Sequence, residues 1–272
     1  MNALNTCLET LHSNKSQDQE KQLILPIHLK AQFPVSIQLK EQVQNHRQAI
    51  ENILNGTDER LMIITGPCSI HDPKAVREYA EKLIELQKSV ADKILFVMRA
   101  YIEKPRTTVG WKGFLYDPNL DGSADMQLGL ERSRQLYLDI IELGLPISSE
   151  ILSPMATAYF DDLLAWGAIG ARTSESHIHR EISSQMPYSI GFKNGTDGSI
   201  QIALDAIQSS SHSHHFLGMS QSGLPAILQS EGNPNAHLIL RGSNSGTNYQ
   251  LNEIEKIRDK NQGHLPPLVI DC

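Results

Sequence analysis

Ile94-Leu-Phe-Val-Met-Arg-Ala-Tyr-Ile-Glu-Lys-Pro-Arg-Thr-Thr-Val-Gly-Trp-Lys-Gly113 joins an apolar run to a basic loop. The run Ile94–Met98 reads as a buried strand. It ends at Arg99, and Lys104, Arg106 and Lys112 follow. Pro105, Gly110 and Gly113 exclude a regular helix there. Four cations therefore sit on an irregular loop at the carboxyl end of a strand, which is where parallel α/β folds bind ligands. A solvated basic loop is the plain alternative. Against it, Arg99 continues a buried strand directly, and Thr107, Thr108 and Trp111 interleave with the charges. Arg forks and threonine hydroxyls suit phosphate and carboxylate oxygens.

Working outward, the alternation of strand and helix is regular. Residues 36–55 pattern as an amphipathic helix stopped by Asn55-Gly56. Strand Leu61–Thr65 runs into Gly66-Pro-Cys-Ser-Ile-His-Asp72, where Asp72 and Pro73 read as an N-cap and first-turn proline of a helix to about Ser89. After the basic loop, the pattern predicts a helix over Met126–Leu143, strand Ile147–Ile151 and helix Ala156–Ala165. Strand Ala168–Arg172, a helical stretch at His177–Ser184, strand Ser189–Lys193 and helix Ser199–Gln208 follow. His215–Met219 and Pro225–Gln229 read as a hairpin insertion around Gly223. Strand His237–Arg241, helix Leu251–Asn261 and strand Leu268–Cys272 complete the chain. Seven strands alternating with helices imply a (β/α)8 barrel one strand short, with an open doubly wound sheet as the alternative.

Composition narrows the function. The 272 residues suffice for one large barrel, and 40% of them are apolar. The net charge of −7 argues against a nucleic-acid binder. Three widely spaced cysteines, Cys7, Cys68 and Cys272, make no disulfide framework and point to a reducing cytoplasm. No apolar run has transmembrane length, so no membrane partner is expected. Residues 1–35 are polar, hold Pro26 and Pro34, and read as an arm with a short strand at Leu23–Leu25.

In a barrel the strand ends share one mouth. Strand one would bring Cys68 there; strand two Arg99, Lys104 and Arg106; strand three Glu150. Strands four, five and six would bring Arg172, Lys193 and Arg241. Cations repel one another around a shared mouth unless anions lie between them. The ring therefore implies a small, multiply anionic ligand, phosphorylated by preference. Cys68 is either a packing cysteine or a metal ligand or reactive thiol. His212, His214 and His215 lie in a Ser-rich loop, where no metal role is expected. Arg241-Gly-Ser-Asn-Ser-Gly246 lacks the Lys-Ser/Thr ending and the spacing of a phosphate loop.

Gly66–Asp72, Glu103–Gly113, Gly167-Ala-Ile-Gly-Ala-Arg-Thr173 and Gly191-Phe-Lys-Asn-Gly-Thr-Asp-Gly198 occur in order. Together they closely resemble the type I, feedback-regulated 3-deoxy-D-arabino-heptulosonate 7-phosphate (DAHP) synthases, from about residue 36 to the end. The 3-deoxy-octulosonate 8-phosphate synthases share the barrel without the Lys-Pro-Arg-Thr signature. The resemblance implies condensation of phosphoenolpyruvate with erythrose 4-phosphate, the first step of the shikimate pathway. It also implies a phosphoenolpyruvate clamp of Arg99, Lys104, Arg172, Lys193 and Arg241 with Glu150 beside it. Arg106 and Thr107 match contacts to the erythrose phosphate, and Cys68 matches the first ligand of a divalent metal such as Mn, Fe or Zn. Lys104 would handle a proton near the reacting carbonyl, and Glu150 would orient the water.

The family continues past the position of Cys272 into a Ser-His pair, an eighth strand with a Glu and a later Asp, which are its other metal ligands. The expectation is thus a C-terminally truncated chain with an incomplete metal site, inactive in isolation. It divides into a regulatory and interface arm at 1–35 and an incomplete barrel at 36–272. The alternative is a non-catalytic remnant that binds an aromatic amino acid or an intact paralogue. The resemblance further implies a homo-oligomer and a feedback site built from the arm, the region near strand five and the hairpin. There Met186-Pro187-Tyr188 departs from the family's Leu-Ser pattern.

Overall fold

The computed structural model describes residues 21–261, 263–264 and 266–272. Cys7 and the first twenty residues of the expected arm lie outside the described residues. Helices α1 (Pro26–Gln32) and α2 (Ile37–Leu54) precede the sheet. Then come β1 (Leu61–Thr65), α3 (Pro73–Val90), β2 (Ile94–Arg99), α4 (Met126–Glu142) and β3 (Ile147–Glu150). A 3-10 turn at Pro154–Ala156 leads into α5 (Thr157–Phe160), followed by β4 (Trp166–Ile169), α6 (His177–Gln185), β5 (Ser189–Lys193) and α7 (Gln201–Ser210). The hairpin β6 (His214–Met219) and β7 (Pro225–Ser230) stands apart as its own antiparallel pair. The chain then returns through β8 (Ala236–Leu240), α8 (Leu251–Lys260) and β9 (Leu268–Ile270).

Seven strands form one sheet in the order β1-β2-β3-β4-β5-β8-β9, and every pairing in it is parallel. This is the order of a (β/α)8 barrel with seven of its eight strands, and β1 and β9 are the two edges. Side chains alternate along each strand between two apolar layers. One lies between sheet and helices and holds Phe96, Met98, Ile147, Ile169, Ile190, Phe192 and Leu238. The other lies inside the curl. It holds Leu95, Val97, Trp166, Ala168 and Ile239, with Met62, Ile64 and Val269 from the two edge strands. Ile50, Ile53 and Leu54 of α2 join this inner cluster, so α2 plugs the end opposite the strand carboxyl termini.

Sequence-local caps set the helix starts. Ser36 accepts from the Leu39 amide at 3.2 Å, Asp72 from Lys74 at 2.9 Å, and Asp125 from Leu128 at 3.2 Å.

Three expectations need correction. No strand forms at Leu23–Leu25; instead Pro26 opens α1, because proline at the first helical position lacks only an amide that would be unpaired anyway. The helix expected over 156–165 stops at Phe160. Carbonyls that would have continued its ladder are taken by buried guanidinium groups: Arg47 donates to Asp161 O and Leu164 O, and Arg134 donates to Tyr159 O. Strand four is Trp166–Ile169 and not 168–172, because Gly170 O accepts the amides of Thr173 and Ser174 and turns the chain. Arg172 therefore lies in that turn, past the end of the strand.

Candidate active site

Alternation along the strands puts Leu95, Val97 and Arg99 on the inner face, as it does Ser148 and Glu150, Ser189, Gly191 and Lys193, and His237, Ile239 and Arg241. The lower members of each set are apolar or small and pack; the last member of each carries charge at the carboxyl edge. The site thus forms where the inner layer runs out of apolar residues.

Arg99 donates from Nε and Nη2 to Gly66 O, at 3.1 and 2.8 Å, which ties the end of β2 to the loop after β1. In that loop the Lys104 ammonium reaches Cys68, at 2.8 Å from Sγ and 3.3 Å from O. The basic loop closes on itself through Lys104 N to Lys112 O at 2.8 Å, and Arg106 Nε donates to Trp111 O at 2.7 Å. Lys104, Pro105, Arg106 and Lys112 line a cationic depression floored by Tyr116 and Leu152. From across the mouth, Arg172 donates to Thr107 Oγ1. Lys193 pairs with Asp271 at 2.5 Å.

Glu150 is at the centre. Burial pushes its carboxyl above the ordinary value, while Lys193, Lys104 and Arg172 pull it back and Asp271 pushes it up again. Three cations, from the loops after β2 and β4 and from the end of β5, therefore act on one carboxyl group. Gly170 makes room for it: a Cβ there would lie 2.6 Å from Glu150 Oε1. That contact gives the second glycine of the Gly167–Thr173 motif a physical reason.

Arg241 is held through its backbone. Buried Asn194 uses its whole side chain here: Oδ1 accepts from Arg241 N and Asn248 Nδ2 at 2.9 and 3.1 Å, and Nδ2 donates to Gly195 O and Gly242 O at 2.9 and 3.1 Å. Nine expected site residues thus share one mouth, with Arg106 at its outer rim. Of the histidines set aside, His212 and His214 bond to the backbone carbonyls of Gln208 and Ser209.

Two residues were not singled out from the sequence. Asp271 directly follows β9, two residues after the inward Val269, so extending period-two counting past the strand would have found it. Glu103 is 4% exposed and accepts from Tyr116 OH at 3.1 Å and from Ser153 N at 3.2 Å. Burial pushes its carboxyl up to about 7. Its signal was a lone acid inside a basic loop, which reads from sequence as a surface counter-charge.

A metal was also expected. Among the described residues, no three His, Cys, Asp or Glu side chains converge to hold an ion. Cys68 Sγ meets an ammonium group instead. The donor set therefore does not fit a catalytic divalent metal, which takes about three protein ligands. No helix among the described residues is long and apolar enough to cross a membrane.

A second cavity of about 540 Å³ lies away from the mouth, between α5, α6 and the hairpin. Met155, Ile178, Ile182, Met186, Phe216 and Leu228 give it an apolar lining.

The profile of the DAHP synthetase I family matches residues 12–272. The Tyr-sensitive phospho-2-dehydro-3-deoxyheptonate aldolase of Escherichia coli K12 is 45% identical over 255 residues, which is 93% of this chain and 71% of that protein. The Trp-sensitive enzyme of the same name from Enterobacter agglomerans is 50% identical over 232 residues, 85% of this chain and 66% of its own. The solved structure of phospho-2-dehydro-3-deoxyheptonate aldolase from Francisella tularensis superposes with a TM-score of 0.90 at 45% identity, covering 93% of this chain and 75% of that one. This chain thus spans about seven tenths of the length of the E. coli protein.

Proposed function

Because the chain belongs to the DAHP synthetase I family, we propose that its mouth binds phosphoenolpyruvate and erythrose 4-phosphate for the condensation that opens aromatic amino-acid biosynthesis. The observation that carries this reading is the convergence of Lys193, Lys104 and Arg172 on Glu150. The surplus of cations over Glu150 and Asp271 at this mouth suits a ligand with two or three negative charges. In this reading Arg99, Arg172, Lys193 and Arg241 take the phosphate and carboxylate of phosphoenolpyruvate. Arg106 and Thr107 take the phosphate of the sugar. C3 of phosphoenolpyruvate attacks the aldehyde carbon, and the resulting oxyanion takes a proton with Lys104 beside it. Water oriented by Glu150 adds at C2, and inorganic phosphate leaves.

The described residues lack a metal-binding set. No step is therefore routed through an ion, and the 1–272 polypeptide by itself is expected to turn over negligibly, with or without added Mn²⁺.

Binding is the direct test. Calorimetry should show phosphoenolpyruvate bound by the wild-type chain and weakened by about 2–5 kcal/mol in Arg172→Ala or Lys193→Ala, as for loss of one partner of a desolvated charge pair. Equal affinities in wild type and Arg172→Ala would overturn the assignment.

The hairpin cavity favours a regulatory role alongside the first. Its size and apolar lining suit an aromatic amino acid, in keeping with relatives named Tyr-sensitive and Trp-sensitive. The chain is also read as a cytoplasmic homo-oligomer. The paired hairpin residues Leu217 and Ile227, 80% and 81% exposed, would then be covered by a second copy. Light scattering of folded protein at micromolar concentration tests that, and a monomer would refute it.

A further inference from the structure

Glu103 lies beneath the cationic depression, and the two residues that floor the depression, Tyr116 and Leu152, lead to its carboxyl. Tyr116 OH donates to Oε1 at 3.1 Å, and Ser153 N, the amide after Leu152, donates to Oε2 at 3.2 Å. The end of the basic loop closes over the same residue. Gly113, with φ +113°, runs so near that a Cβ there would stand 2.8 Å from Glu103 Cα. A cavity of about 20 Å³ has Glu103 and Glu150 together in its walls, with Tyr137, Ser149 and Ser153. Lys104, the next residue, turns its ammonium to Cys68 and not back to this acid. The titratable groups that face Glu103 are thus Tyr116 from its own loop, Tyr137 from α4 and Glu150 from β3. Burial keeps both phenols protonated: it pushes Tyr116 up to about 12 and raises Tyr137 as well.

Among the described residues no cation bonds to Glu103, whereas Lys193, Lys104 and Arg172 hold Glu150 down. An anion in the mouth brings two or more negative charges near Glu103, across buried groups that salt screens little. It also engages the cations that offset Glu150. Both effects disfavour a second carboxylate beneath the mouth. We propose that the mouth binds its anion together with a proton, and that Glu103 is the group that takes that proton. The proposal rests on the reading of the mouth as an anion site and adds the proton to what the site holds. Glu103 is the natural acceptor because burial has already pushed its carboxyl up to about 7, so it is half protonated at neutral pH. On uptake Ser153 N keeps Oε2 as its acceptor, while Oε1 carries the proton and donates it to the Tyr116 oxygen, whose hydroxyl rotates to suit. Glu103 then acts from beneath, through its charge and through Tyr116, and touches neither ligand.

Calorimetry of sulfate binding to the full chain tests this, because the two charges of sulfate do not titrate near neutral pH. Compared in buffers of low and high ionisation enthalpy at pH 7.5, the wild type should take up a fraction of a proton per sulfate, and Glu103→Gln should take up none. Where the bound state favours the protonated acid tenfold, affinity falls about sixfold between pH 6.5 and 8.5, and the profile of Glu103→Gln should be flatter by that factor. Glu150→Gln should keep the uptake. Melting curves check that each variant folds. If Glu103→Gln does not fold, Tyr116→Phe decides. It removes a bond that favours the carboxylate, so the fall in affinity should move to higher pH. A profile unchanged by Glu103→Gln, or in its place by Tyr116→Phe, overturns the assignment and leaves the anion site standing. So does an uptake that Glu150→Gln loses and Glu103→Gln keeps. If the wild type binds neither sulfate nor inorganic phosphate, the anion reading fails and the assignment falls with it.

Discussion

Replacing Glu103 by glutamine should invert the order of stability between variant and wild type across the neutral range. In the folded chain this carboxyl is buried and its pKa is pushed up from 4.5 to about 7. Above 4.5 the unfolded chain releases the proton, while the folded chain keeps it until about pH 7. Folding therefore takes up a proton in that window, and stability falls as pH rises. A gap of about 2.5 pH units at about 1.36 kcal/mol each amounts to roughly 3 kcal/mol lost between pH 4.5 and 7, with no further loss above. Glutamine has no such titration. It keeps one carbonyl acceptor for Tyr116 OH or Ser153 N and loses the other, a cost of about 1 kcal/mol that does not vary with pH. Below pH 4.5 the wild type should be the more stable by about 1 kcal/mol, and at pH 8 the variant by about 2 kcal/mol. Urea unfolding of both proteins from pH 4 to 8.5 measures the difference and cancels every other titrating group. A difference constant to within about 0.5 kcal/mol would refute the argument, because it would mean that Glu103 is ionised in the fold at no cost.

The acid limb should show the opposite sign. His237 is 1% exposed, accepts from Trp166 Nε1 at 3.0 Å and is held down to about 4 by burial. The unfolded chain thus gains a proton as pH falls through 6.5, stability drops by about 3 kcal/mol by pH 4, and His237→Asn should flatten that slope in urea titrations. His46, also pulled down by burial, should add in the same direction. Arg134 is fully buried, with both arms on Asp162 at 2.9 and 2.7 Å and further bonds to Phe33 O and Tyr159 O. Arg134→Met should cost about 3–5 kcal/mol in chemical denaturation, since it strands a carboxylate and two carbonyls. Gly170→Ala should change stability by under about 1 kcal/mol, because the displaced atom is the free end of a side chain. A crystal structure of that variant should show the Glu150 carboxyl moved; an unmoved Glu150 would refute the close approach.

The strands and most helices were legible in the sequence because their signals are local. Runs such as Leu61–Thr65 and Ile94–Arg99 have nowhere to go but a buried parallel sheet, and Ser36 and Asp72-Pro73 carry their caps within three residues. Their positions at strand ends, which share one mouth in a barrel, grouped Arg99, Glu150, Lys193 and Arg241 from the sequence alone. Where the sequence misled, a distant side chain had intervened. Arg47 and Arg134 take the carbonyls of the 159–164 segment from more than twenty residues away and cut its helix short. Gly170 O turns the chain before Arg172, so that arginine meets Thr107 from a loop and not from a strand.

What the sequence determined alone was the family, the alternation and the list of cations, all of which depend on identity and spacing. Only the tertiary structure decided which charges are paired. Lys104 meets Cys68, Lys193 meets Asp271, and Lys30 meets Asp161. It alone made Glu103 a buried acid, because burial is set by the segments that cover a side chain. Those are Tyr116, Ser153 and their neighbours, which no reading of the basic loop by itself contains.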